Sequence, residues 1–205
     1  MYNIAERQSM SNEMSKSEVS GRAEAFRLEI AGDFLLLLTL TWFFWGGETL
    51  AALLLAAAVH ELGHAAVLLR LGQLPRGLRM DLAGLCLRCP PAETEGRELL
   101  RTLAGPAAGL LLALALRGSE EPFLRLCGET SLALSGMNLL PASCLDGGRL
   151  LRSLAVLTLG PLPAERISLA LDWACILLFA YLGLKSRPDW LLWSGWLLAQ
   201  RVGKR

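Results

Sequence analysis

The chain has 205 residues, a formal net charge of +1 and 53% hydrophobic residues. A balanced charge gives no electrostatic case for nucleic acid, and no nucleic-acid partner is expected. The apolar excess falls in blocks, which argues against a soluble domain and for a polytopic membrane protein.

Residues 1–24 are rich in Ser, Asn, Met and Glu and lack apolar periodicity, so they are expected to form a disordered cytosolic tail. Residues 25–205 are expected to form a single membrane-embedded domain, with its core motifs in 34–150. In Ala25–Ile30, Phe26, Leu28 and Ile30 alternate with Arg27 and Glu29, the pattern of a short strand. Phe34–Trp45 is the first apolar block. It is shorter than the roughly 20 residues of a straight span and ends in Trp42-Phe43-Phe44-Trp45, which suits the headgroup interface. Gly46-Gly47 offers a turn.

Thr49–Leu71 is the second block. After it, Leu78, Met80 and Leu82 alternate with Arg79 and Asp81, and Leu85 and Leu87 with Cys86 and Arg88, around Ala83-Gly84. This reads as a hairpin at the membrane surface, closed by Pro90-Pro91. Leu99–Leu116 and Phe123–Leu140 are the third and fourth blocks, the fourth with Glu129, Ser131, Ser135 and Asn138 inside it. Leu150–Leu159 suits a short interfacial or re-entrant helix; Ile167–Leu184 and the Trp-rich Trp190–Leu198 complete the set. The fold expected is all-α and polytopic, with about six transmembrane helices and a small β-hairpin at the surface.

Arginine and lysine set the orientation. With a cytosolic amino terminus, Arg70, Arg76, Arg79, Arg88, Arg149 and Arg152 fall on the cytosolic side. The opposite side holds Arg117, Arg125, Lys185 and Arg187. The end of the second block then lies nearer the cytosolic face of a cell membrane.

That end carries His60-Glu61-Leu62-Gly63-His64 and with it the only two histidines of the chain. Residues four apart share one helix face, so His60 and His64 can reach one ion. A catalytic Zn²⁺ takes three protein ligands and leaves a position for water. Glu61 sits where it can take a proton from that water. Ionisable groups inside an apolar block are costly and mark function. The third ligand has to be an Asp, Glu or Cys at the same depth. Asp146, in Leu145-Asp146-Gly147-Gly148, lies on the correct side, although Asp-Gly-Gly is also an ordinary turn. Cys144 is a soft alternative, and Glu129 is expected to be buried in the fourth block but towards the opposite face, a poorer fit. The five cysteines suggest no disulfide framework, and Cys86-x-x-Cys89 lacks the second pair of a zinc site.

Three pieces occur in order on separate blocks: His60-Glu61-Leu62-Gly63-His64, Gly105-Pro106-Ala107-Ala108-Gly109, and Asn138-Leu139-Leu140-Pro141 leading to Leu145-Asp146-Gly147-Gly148-Arg149. Together they resemble the site-2 protease family of intramembrane zinc metalloproteases, over Ala25–Arg152. The compact form is similar to the subgroup of stage IV sporulation protein FB. The resemblance implies that Asp146 is the third zinc ligand and Glu61 the general base. It further implies that Asn138 helps hold the substrate peptide or the oxyanion. Cys144 stands where the family usually has Pro. The carboxy-terminal CBS domain common in the subgroup is not expected, nor is a PDZ domain, since the longest inter-span segment is Gly72–Glu98.

The function expected is hydrolysis of a peptide bond within or near a transmembrane segment of a membrane-associated substrate. The strand and hairpin offer an edge to which an extended substrate can add, or they simply cover the site. The lipid bilayer is a further partner, and there is room for an inhibitory or regulatory membrane partner. The glycines around Pro106 are expected to serve helix packing. The competing class is an inactive zinc-binding scaffold or a transporter. Transport calls for ionisable groups along a path through several spans, whereas here they gather at one end.

Overall fold

The computed structural model describes residues 26–81, 84–186 and 189–202. The tail expected over residues 1–24 and Ala83 of the expected Ala83-Gly84 turn lie outside them. Three strands, β1 (Arg27–Ile30), β2 (Gly77–Asp81) and β3 (Gly84–Arg88), form one sheet in that order. Six helices make up the rest among the described residues: α1 (Gly32–Arg70), α2 (Glu95–Leu116), α3 (Pro122–Asn138), α4 (Asp146–Leu159), α5 (Pro161–Lys185) and α6 (Asp189–Val202).

α1 holds the first two apolar blocks. Its helical path is broken at Gly46, where φ is 84° and ψ 171°, a conformation that glycine reaches at little cost. The expected turn is therefore a one-residue break, and it separates the aromatic segment from the segment carrying His60 and His64. α2 starts behind Thr94, whose side chain accepts a hydrogen bond from the Arg97 amide. Pro122 opens α3 and Pro161 opens α5, where the missing amide costs nothing. α1, α2 and α5 are long and apolar enough to cross a membrane.

Large apolar side chains cover the outside, and polar side chains are buried among apolar ones inside. Phe43, Trp42, Leu111, Leu184 and Leu192 are exposed, while Thr41, His60, His64, Thr102, Ser131, Ser135 and Asp172 are buried. Lipid replaces water around such a surface, so close backbone packing and hydrogen bonds hold the helices instead. At Gly109 an added Cβ would stand 2.2 Å from Ser135 Oγ, and Ser131 Oγ donates to the Gly109 carbonyl at 2.9 Å. The packing role expected for this stretch is what brings α2 onto α3. Glu129, expected inside the fourth block, is exposed; its side of α3 faces away from the bundle.

In the sheet, β1 pairs parallel with β2, with α1 as the crossover, and β2 pairs antiparallel with β3. β3 is thus an edge strand. At that edge the Leu87 amide meets Glu61 of α1.

Candidate metal centre and active site

His60 and His64 sit one turn apart on α1, both buried, with ring nitrogens Nε2 3.1 Å apart. Asp146, at the first turn of α4, reaches both: its Oδ2 lies 3.0 Å from His60 Nε2 and 3.2 Å from His64 Nε2. The helix amino terminus favours a carboxylate there. The glycines after it matter sterically. A Cβ on Gly147 would stand 2.1 Å from the Leu139 carbonyl oxygen, and one on Gly148 2.1 Å from that of Ala142. Only glycines let α4 begin hard against the 139–145 loop and so deliver Asp146 to the histidines.

This trio fits a metal ion. The Arg101 carbonyl can only accept, so His64 Nδ1, 2.8 Å from it, must carry the proton. His64 Nε2 therefore turns a lone pair towards His60 Nε2 and the carboxylate. Whichever nitrogen of His60 carries its proton, His64 Nε2 and Asp146 Oδ2, 3.2 Å apart, then meet as two acceptors unless a cation or an added proton lies between them. Tetrahedral zinc with bonds of about 2.0–2.1 Å spaces its ligand atoms by roughly 3.3 Å, close to the separations found. Gly105 leaves the room: a Cβ there would stand 2.2 Å from His64 Nε2 and 2.7 Å from His60 Nε2. The glycine thus makes space for the imidazoles as well as for packing. Among the described residues, His60, His64 and Asp146 form the group able to hold a metal. Neither Cys144 nor Glu129 joins it.

An ionic network lies behind the trio. Glu98 pairs with Arg101 and, at 2.7 Å, with Arg149. Arg149 stands 3.6 Å from Asp146 Oδ1, and Arg101 also donates to the Pro90 carbonyl at 2.6 Å. The network ties α2, which orients His64, to α4, which carries Asp146. Sequence reasoning missed it; the available signal was the Glu98–Arg101 spacing at the mouth of an apolar block.

Glu61 faces the same cavity of about 120 Å³ as the trio, Asn138, Cys86 and Cys89. Its Oε2 accepts a hydrogen bond from the Leu87 amide on the free edge of β3, at 2.9 Å. Asn138 is half-buried, and its Nδ2 donates to the Leu134 carbonyl of its own helix at 3.1 Å. Partial burial holds the Cys89 thiol above its ordinary pKa, which suits neither a nucleophile nor a thiolate ligand.

A second cavity, of about 370 Å³, meets the first at His60, Glu61, Leu85 and Asn138. Its other walls are mostly apolar, among them Leu37, Leu53, Leu134, Met137 and Trp193.

No family model matches the chain. A protein of Synechocystis sp. named as a zinc metalloprotease is 32% identical over 179 residues, 78% of this chain and 47% of that protein. A zinc metalloprotease of Methanocaldococcus jannaschii is 28% identical over 144 residues, 65% of this chain and 42% of the relative. The chain therefore spans less than half the length of these relatives. The solved structure of the site-2 protease from Methanocaldococcus jannaschii superposes with a TM-score of 0.66 at 26% identity, covering 83% of this chain and 86% of that one. A multi-pass helical membrane fold, a site shaped for zinc and similarity to named zinc metalloproteases lead to one conclusion: the chain belongs to the site-2 protease family.

Proposed function

We propose that this protein is an intramembrane zinc metalloendopeptidase that cleaves a peptide bond within or near a transmembrane segment of its substrate. The observation that carries this reading is the meeting of His60, His64 and Asp146 within 3.2 Å, with Glu61 on the same cavity. In this reading His60, His64 and Asp146 are the ligands. Zn²⁺ held there supplies a Lewis acid that polarises a peptide carbonyl and makes water acidic near neutral pH.

The chain's own residues do the rest. Glu61 takes the proton of the attacking water on its carboxylate and passes it to the leaving amine nitrogen. The Leu87 amide holds that carboxylate in place. Asn138 keeps a second amide hydrogen beyond the one given to Leu134, and this donates to the substrate carbonyl or to the oxyanion that develops on it. A transmembrane helix hides its peptide bonds in its own hydrogen bonds, so the substrate must enter extended. The free edge of β3 offers backbone partners for such a strand, and the apolar cavity beside it takes side chains that come from the bilayer. The distribution of basic residues supports a site nearer the cytosolic face of the cell membrane.

The test is cleavage of a membrane-spanning peptide in proteoliposomes by the wild type and Glu61→Gln. The substitution should lower the rate by about 10²–10⁴-fold and leave zinc bound. Wild-type cleavage by the zinc-loaded variant would remove Glu61 from the reaction.

A further inference from the structure

α5 carries one carboxylate, Asp172, within the apolar stretch Ile167–Leu184. It is 6% exposed. An ionised group in a candidate span is costly unless it is paired. Here both oxygens are used by a single residue: Oδ1 accepts from the Ser143 amide at 2.7 Å, and Oδ2 accepts from the Ser143 hydroxyl at 2.8 Å. Arg201 of α6 stands 3.4 Å from Oδ2.

Ser143 belongs to the 139–145 loop and lies three residues before Asp146. The loop is tied to itself on both sides of Ser143, with the Ala142 amide on the Leu140 carbonyl and the Leu145 amide on the Ala142 carbonyl, both at 2.8 Å. The Arg149 amide then reaches the Leu145 carbonyl at 3.2 Å. Gly147 and Gly148 press on the same loop from the other side. Fixing Ser143 thus fixes the point from which Asp146 departs. Stability alone gives little reason for such a group, because replacing a buried ion pair by packed apolar side chains is often neutral or stabilising.

We propose that Asp172 is a positioning residue for the metal centre. By gripping Ser143 at both its amide and its hydroxyl, it sets the 139–145 loop so that Asp146 meets His60 and His64. Through Arg201 the same carboxylate fastens α6, which carries Trp193 on the apolar cavity and Trp196 on the metal cavity. This rests on the assignment of Asp146 as a ligand.

The test uses the full chain in detergent micelles, with zinc affinity measured against a chromogenic chelator and with the visible spectrum of the Co²⁺-loaded protein. Asp172→Ala should weaken zinc binding about 10–100-fold in the folded fraction and alter the cobalt bands. Asp172→Asn keeps an oxygen for the Ser143 amide and should recover most of the loss. Ser194→Ala removes a different α5–α6 contact, the hydroxyl bond to the Ile176 carbonyl at 3.1 Å. It should leave zinc affinity and spectrum unchanged. If Asp172→Ala fails to fold, Ser143→Ala takes its place, with a smaller loss of affinity expected. Wild-type zinc affinity and spectrum in the folded Asp172→Ala protein, or in its Ser143→Ala substitute, would overturn the positioning role, provided that Asp146→Ala abolishes binding. Undiminished binding by Asp146→Ala would instead remove the ligand assignment and the proposal with it.

Discussion

Two buried polar clusters flank the 139–145 loop, and they are built on opposite principles. Around Asp172 every acceptor meets a donor: an amide, a hydroxyl and a guanidinium converge on one carboxylate. Around Asp146 acceptor meets acceptor: His64 Nε2 faces the carboxylate oxygen at 3.2 Å, with His60 Nε2 beside both at 3.0–3.1 Å. The first cluster is complete as protein. The second leaves that pair unmet without a cation or an added proton, and the absence of a side chain at Gly105 leaves the imidazoles their space. A buried polar group that satisfies itself holds structure; one that does not calls for an explanation, which a cation would supply at Asp146.

That contrast can be tested from either side. The largest effect is expected from Gly105→Ala, whose Cβ would stand 2.2 Å from His64 Nε2. Zinc affinity should fall by more than about a hundredfold, because the methyl group competes with the ligands themselves; chelator competition measures it, and tight binding would show that the imidazoles have another way to meet the ion. Zinc removal comes next. Free zinc at about 100 times its dissociation constant should stabilise the protein by about 2.7 kcal/mol, seen as a rise in melting temperature that Asp146→Ala abolishes. A similar rise in Asp146→Ala would place the stabilising ion elsewhere. Glu98→Gln should weaken zinc binding by about tenfold, since it loosens Arg101 and Arg149 together while every ligand stays in place. The double substitution Cys86→Ser, Cys89→Ser should leave zinc content and cleavage unchanged; a loss of zinc would reinstate the cysteines as ligands.

The two clusters were also unequally legible in the sequence. His60, Glu61 and His64 declare themselves because helix periodicity is local, and two imidazoles four residues apart need no knowledge of the fold. Asp146 lies 86 residues from His60 and was singled out by motif order and membrane depth. Asp172 went unread, although a lone acid in an apolar span is a signal in itself; its meaning depends on Ser143 and Arg201, each 29 residues away. The apolar blocks anticipated the helices because lipid-facing surface needs continuous apolar runs. Glu129 was misplaced because a block's hydropathy does not say which face a residue takes. The parallel pairing of β1 with β2 was not legible either, since alternation reveals a strand but not its neighbour. The Leu87 amide, which holds Glu61, is a backbone group and leaves no trace in residue identity.

The central claim is that His60, His64 and Asp146 together hold the zinc. X-ray absorption at the zinc edge of the purified protein tests it most directly. The account predicts nitrogen and oxygen neighbours at about 2.0–2.1 Å, two of them imidazoles, and no sulfur. A sulfur neighbour at about 2.3 Å would put a cysteine in the site and contradict the assignment.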